Sequence, residues 1–340
     1  GKLTKPAAAI KEGMLMAHFR QQQPNTPAPE LLFLDSEKIN TPIQLAAILE
    51  QEQVDLVIGP LQKEYVAALA SDSHINTPIL ALNSTEGASR EGLYQFGLST
   101  DDEAQQIAEK VWNDGIQTAA VLIPSQAWGE RVASAFTEHY TALGGNVVNV
   151  QAFGETSEFS ANIAAFLSTN KSTERYKKVR QAIYTRKIEF EEHRREDIGA
   201  IILTALPNDA RQLTPILAFN FAGDIPIYAT SHLFSGTSNP IQDQDLNRIK
   251  FVDTPWSLNP PSQSKVLLAQ ERIDTNTRFG RLYALGLDAY RIFPYLQQLS
   301  ALPGTEIEGE TGKLSVSHDG MIKRKLIWAE YKEGTPSIIE

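Results

Sequence analysis

Six histidines, at positions 18, 74, 139, 193, 232 and 318, are the side chains best suited to move a proton or hold a metal near neutral pH. No two of them stand at ligand spacing, and the 340 residues include no cysteine. The sequence therefore carries no metal-site pattern, no thiolate nucleophile and no disulfide framework. Its 41 Asp and Glu residues offer many carboxylate pairs, but no spacing singles one out for acid–base work. The signatures GxxxxGK followed by Ser or Thr, GxGxxG, HExxH and GxSxG are missing. Gly312-Lys313 lacks the upstream glycine of a phosphate-binding loop, and Leu314 stands where a hydroxyl is needed.

What remains is a set of polar residues placed just after apolar runs. These are Gln62 and Lys63 after Gly59-Pro60, Asn83, Ser84 and Thr85 after the run at 78–82, and Ser125, Gln126 and Trp128 after 119–123. Leu206, beside Ala205 and Pro207, follows 198–204, and Ser231 and His232 follow 226–230. Hydroxyls, amides, an aromatic ring and the free N–H groups of helix starts suit a small polar ligand. The same residues also fit structural duties: Asn83, Ser84 and Ser125 as helix caps, Trp128 as hinge packing, His232 as a hydrogen-bonded structural side chain.

The elements that must position them follow from periodicity. The run 198–204 is short, continuous and β-branched, as expected of a strand buried on both faces. Pro207-Asn208-Asp209 opens a helix carrying Leu213, Ile216, Leu217 and Phe221, Gly223 stops it, and 226–230 is a second strand, completing a parallel βαβ unit. Strands at 31–34, 54–60, 78–82 and 94–98 alternate with helices at 7–19, 42–52 and 62–71. The alternation restarts with a helix at 101–114, a strand at 119–123, a helix at 128–143 and a strand at 147–153. A helix is predicted over 278–299, bent or broken at Pro294, and a last strand over 322–331. The predicted class is α/β, with two doubly wound parallel-sheet lobes joined by three crossings. Residues 1–99 and 257–318 form the first lobe and 100–256 and 319–340 the second, with a cleft between them.

Net charge is −10, which argues against nucleic acid as a partner. No apolar run is long enough to span a bilayer. Between Lys171 and Asp197 the balance reverses, with nine basic and six acidic residues and a narrow apolar stripe of Tyr176, Val179, Ile183 and Phe190. Read plainly, this is a long solvated helix over 172–195 with i,i+4 pairs such as Lys187–Glu191 and Glu191–Arg195. Read for function, it is a docking surface for a protein or an anionic glycan, with Lys187, Arg194 and Arg195 as contact candidates.

The strings FGLSTDDEAQQIAEKVWNDG (96–115), RREDIGAIILTALPNDARQLTPIL (194–217), IPIYATSHLFSG (225–236), FVDTPW (251–256), RLYALGLDAY (281–290) and GETGKLSV with IWAEYKEG (309–334) resemble the C-terminal domain of the LpoA (YraM) family. The resemblance covers nearly the whole chain. It implies a type I periplasmic binding protein-like fold and a non-catalytic role, without a cofactor. Members are outer-membrane lipoproteins facing the periplasm that stimulate a class A penicillin-binding protein, a bifunctional peptidoglycan synthase. Peptidoglycan itself is a further possible partner, and the lipid anchor belongs to the full-length protein. Amino-acid-binding relatives of this fold carry Ser shortly after the Gly-Pro turn, where this chain has Gln62 and Lys63. The family also has an apolar first strand directly before the glycine matching Gly1, so the expected first sheet lacks that strand.

Overall fold

The computed structural model describes residues 3–21, 29–39, 41–72, 74–85, 87, 89–183, 189–277, 279–302 and 304–339. The chain divides into two compact units, Gly1–Ser99 with Thr254–Leu326 and Thr100–Asp253 with Ile327–Glu340, and passes between them three times.

The first stretch contains α1 (Thr4–Gln21), α2 (Pro42–Gln51), β1 (Val57–Ile58), α3 (Lys63–Ala70), β2 (Ile79–Ala81) and β3 (Leu93–Gln95). The next contains α4 (Thr100–Asn113), β4 (Thr118–Pro124), α5 (Ala127–Ala142), β5 (Asn146–Phe153), α6 (Phe159–Phe166), α7 (Thr169–Ala182), β6 (Ala200–Leu203), α8 (Pro207–Leu217), β7 (Ile227–Ala229) and β8 (Lys250–Asp253). The chain returns to the first unit with α9 (Pro255–Leu258), α10 (Gln263–Gln270), α11 (Gly280–Ile292), α12 (Leu296–Ala301), β9 (Ile307–Glu308), β10 (Lys313–Val316) and β11 (Ile322–Lys325). It ends in the second unit with β12 (Ile327–Lys332) and β13 (Thr335–Ile339).

In the first unit β1, β2 and β3 pair in parallel in chain order, and β9, β10 and β11 form a separate antiparallel sheet. Packed helices complete it. The α1 and α11 backbones touch through glycines: a Cβ on Gly13 would lie 2.1 Å from the Tyr283 carbonyl oxygen, and one on Gly286 would lie 2.0 Å from that of Ile10. Neither position has room for any other residue. Ala17, Ala284, Leu287, Tyr290 and Trp256 bury around this crossing.

The second unit holds one seven-stranded sheet in the order β13-β12-β8-β7-β6-β4-β5. Strands β4 to β8 are mutually parallel, and β12 and β13 are antiparallel additions. From β4 the chain steps outward to β5, then returns across β4 to β6 and continues the other way. Right-handed crossovers in opposite directions put α5 and α8 on opposite faces. Helix α4 packs on α5 and α6 on α8, so β6 and β7 are buried throughout. A charged cluster ties α4 to the sheet: Asp114 accepts from Tyr228 Oη (2.5 Å) and Lys250 Nζ (3.0 Å) and pairs with Lys110. Burial pushes the Asp114 carboxyl up, but these three partners hold it below the usual carboxylate range.

Several expectations change. Residues 31–34 form no strand, and Leu32, Phe33 and Leu34 are exposed, with Lys11 Nζ 4.2 Å from the centre of the Phe33 ring. An apolar run supplies β-propensity but no partner edge. Helix α7 ends at Ala182, and 189–195 is irregular, so the expected Glu191–Arg195 helical pair is absent: Arg195 pairs with Asp197 instead. Helix α8 stops at Leu217, before Gly223, in a turn over Ala218–Ala222 whose Phe221 has φ of 65°. Pro294 does interrupt its helix, in a 3₁₀ turn at Phe293–Tyr295. The expected last strand is two strands split at Leu326, with β11 in the first unit and β12 in the second. The third crossing therefore falls later than the 318–319 boundary expected from Gly320, because Gly320 instead packs against the Leu93 carbonyl of β3.

Asp288 of α11 is fully buried and accepts from Glu310 N (2.8 Å), Thr311 N (2.7 Å) and Thr311 Oγ1 (2.6 Å), fixing the turn before β10. Burial pushes its carboxyl up to about 6, against the pull of those donors and Arg291. Asp288→Ala orphans three donors and should cost about 3 kcal/mol or more in chemical denaturation. The raised value means the folded chain holds a proton at a pH where the unfolded chain has lost it. Stability from this group is thus smallest above pH 6 and grows as the pH falls from about 6 towards 4. Asp288→Asn should remove that gain, on the order of 3 kcal/mol, measured by urea unfolding at several pH values.

Candidate functional site

In an open parallel sheet, loops leaving adjacent strands in opposite directions open a crevice at the carboxyl edge. In the second unit this point lies between β4 and β6. The β4 loop delivers Gln126 and Trp128, the β6 loop Leu206, and the β7 loop Ser231 and His232, so the sequence-predicted residues of this unit gather on one edge.

Gln126 is extended (φ −99°, ψ 153°) and starts α5 without a side-chain cap. A Cβ on Gly129 would meet the Pro124 carbonyl at 2.5 Å, so glycine lets the start of α5 fold back on the end of β4. Leu206 likewise starts α8 without a side-chain cap, followed by Pro207, and its own side chain is half exposed. The first-turn amides of two helices are thus free of side-chain caps beside the crevice. The Trp128 and His232 rings stack, 4.6 Å between centroids at 27°, and both are partly exposed. His232 Nδ1 lies 3.2 Å from Thr230 Oγ1. Ser231 turns inward: its N–H and hydroxyl both donate to the buried Glu103 carboxylate, at 2.9 and 2.8 Å. The buried Thr204 hydroxyl, just past β6, has no hydrogen-bond partner among the described residues.

Glu103 is the residue that sequence reasoning missed. It stands among the acids opening α4, where helix-start chemistry accounts for it. Only the fold brings it to Ser231, 128 residues away.

The first-unit candidates hold a second cluster. Gln62 precedes α3, its carbonyl accepting from Tyr65 and Val66, and Lys63 is exposed in the first turn. Asn83 Nδ2 donates to the Leu61 carbonyl (2.9 Å), and Asn83 Oδ1 accepts from Ser84 N (2.9 Å). Thr85 donates through N–H and hydroxyl to Gln95 Oε1. Among the described residues no helix stands between β2 and β3, so Asn83 and Ser84 cap none there and instead pin loop to loop.

Of the docking candidates, Lys187 lies outside the described residues. Arg194 binds Asp224 (3.0 Å) and the Phe221 carbonyl (2.7 Å). Arg195 grips Asp197 with two contacts of 2.6 Å. Among the described residues no three His, Asp or Glu side chains converge as a metal site, and no helix is long and apolar enough to cross a membrane. The crevice offers amides, hydroxyls and a stacked ring pair, groups whose chemistry suits a polar ligand.

Because Glu103 satisfies two buried donors and Ser231 supplies only one hydroxyl, Glu103→Ala should destabilise the chain by about 2–3 kcal/mol and Ser231→Ala by about 1 kcal/mol. Thermal denaturation of the two variants checks the order, and equal losses would refute it.

Among known proteins, the penicillin-binding protein activator LpoA of Klebsiella pneumoniae is 32% identical over 321 residues, covering 91% of this chain and 44% of the relative. The chain spans about half the length of the curated relatives it matches. The solved LpoA (YraM) C-domain of Haemophilus influenzae, described as a regulator of PBP1A, superposes with a TM-score of 0.78 at 23% identity, covering 100% of this chain and 97% of that one. A leucine-binding protein from Thermotoga maritima superposes at 0.55 with 16% identity, over 100% and 95% of the two chains. These likenesses establish the periplasmic binding protein-like α/β fold. The model for the family described as LppC putative lipoprotein matches residues 1–334, and the chain belongs to that family.

Proposed function

We propose that this chain is the regulatory domain of a cell-envelope lipoprotein that binds and stimulates a class A penicillin-binding protein. The reading places it in the periplasm, tethered by a lipid to the outer membrane in the full-length protein. The observation that carries it is the 32% identity to an activator of that name across 91% of this chain. Stimulation without catalysis requires only differential affinity: a partner that binds the active synthase more tightly than the inactive form shifts the population by that difference and no more. In the same reading the chain does no chemistry of its own, in keeping with relatives named as activators. The test is co-purification with a class A synthase and a transpeptidation assay with and without the chain. Binding at micromolar concentration and a several-fold gain in cross-linking are expected, and neither occurring would refute the proposal.

A second reading rests on the partly exposed Trp128–His232 stack beside the uncapped start of α5. There the second unit would hold a small polar ligand, such as an amino acid or a peptidoglycan fragment, with Gln126, Leu206, Ser231 and His232 around it. A true ligand at 100 times its dissociation constant adds about 2.7 kcal/mol of stability, readable as a thermal shift. No shift with amino acids or muropeptides would remove this reading.

A further inference from the structure

We propose that the second unit carries a protein-docking face made of α7, residues 189–195 and the turn at 218–224, whose occupant is an acidic, apolar-bearing segment of the synthase. The occupant rests on the function proposed above, while the face is read from this chain alone.

Hydrogen bonds join the three segments into one surface. Thr169 Oγ1 donates to Asn220 Oδ1 (3.1 Å), His193 N to Ser172 Oγ (3.3 Å), Thr173 Oγ1 to Glu192 Oε1 (2.8 Å) and Arg194 Nε to the Phe221 carbonyl (2.7 Å). On this frame large apolar side chains face water. Phe219 is 85% exposed and Phe221 48%. Along one face of α7, Ser172 is buried and Tyr176 is covered by Phe190, rings stacked at 4.3 Å and 14°. Val179 and Ile183 continue that face and are exposed. The spacing of 172, 176, 179 and 183 is that of a helix stripe that finds cover at its start and none at its end.

The backbone supplies a separate sign. Phe221 sits at φ of 65°, in a region a bulky residue rarely adopts. Arg194 holds that conformation by binding the Phe221 carbonyl and, two residues past Ala222, the Asp224 carboxylate. Strain kept in place by a buttress, with its aromatic side chain turned to solvent, is typical of a functional surface. Arg194 is thus a positioning residue for the aromatics.

Charge selects the occupant. Helix α7 carries Lys171, Arg175, Lys177, Lys178 and Arg180 against Glu174 alone, in a chain of net charge −10. All five cations are exposed, and none has an ion pair among the described residues. Arg175 and Arg180 flank the apolar stripe on its two sides. Exposed aromatics rimmed by arginines match the anchors of protein interfaces. The exposed Glu189 and Glu191 beside Phe190 interrupt the positive field, so a protein segment, which can set discrete acidic side chains over α7 and apolar ones beside Phe190, fits better than a uniformly anionic lipid surface.

The test measures binding of this chain to a detergent-solubilised class A penicillin-binding protein and to vesicles containing phosphatidylglycerol. One variant joins Phe219→Ala with Phe221→Gly; glycine accepts the left-handed backbone, so its melting temperature should be equal or higher. The other joins Arg175→Glu, Lys178→Glu and Arg180→Glu, all on an exposed helix face. Each should bind the synthase at least tenfold more weakly with its melting temperature kept, while Phe219→Tyr binds as wild type. Wild-type binding with both variants within twofold of it would overturn the face and leave the proposed function standing. No wild-type binding would overturn the function and the occupant together. Vesicle binding that both variants lose, with synthase binding intact, would overturn the proposal in favour of a membrane.

Discussion

A parallel sheet cannot leave either face to water, and in the second unit that constraint decides nearly everything else. Ile201, Ile202 and Leu203 of β6 and Val121 and Leu122 of β4 are fully buried. Helices must therefore cover both sides, crossovers must run both ways from β4, and the polar loops are left only at the strand ends. The antiparallel β12 and β13 are released from the rule: β12 buries only Ala329 and Tyr331, and β13 has no fully buried residue. Polar residues gather at the carboxyl edge because there the backbone meets solvent, whether or not a ligand ever uses it.

Each unit also spends a buried carboxylate on the backbone of a turn. Asp288 holds two amides and a hydroxyl of the turn before β10; Glu103 holds an amide and a hydroxyl of the turn after β7. An ionised carboxylate is acceptor-only and can satisfy several donors at once, which suits a turn whose N–H groups all point one way. Neither acid has the reacting neighbours of a catalyst. Their placement explains how perturbed or buried acids can occur in a chain whose relatives are named for activating another protein.

The alternation of strand and helix was legible because burial on both faces leaves continuous apolar runs, and 198–204 and 119–123 became β6 and β4. The run at 31–34 misled because its side chains had the right character and no edge to join. The loop residues after β4, β6 and β7 could be placed from strand order alone, so Gln126, Trp128, Leu206, Ser231 and His232 fell on one edge. Glu103 could not, since its partner is reached only through the folded sheet. The Phe219–Phe221 turn was equally hidden: Phe221 fits the helical spacing of Leu213 and Leu217, and only its positive φ turns it outward. Arg194 and Arg195 carried the right charge, but their nearest acids claimed them.

The split of the last predicted strand at Leu326 has a consequence for how the chain is made. Both units are discontinuous in sequence: the first needs residues up to 326 and the second needs β12 and β13, at 327–339. Until the ribosome releases β12, the parallel edge of β8 stands open, a template for wrong pairing. Neither unit can close as its early residues emerge. Completion of both units therefore waits until residues 322–339 have emerged, and the two units mature almost together rather than one after the other.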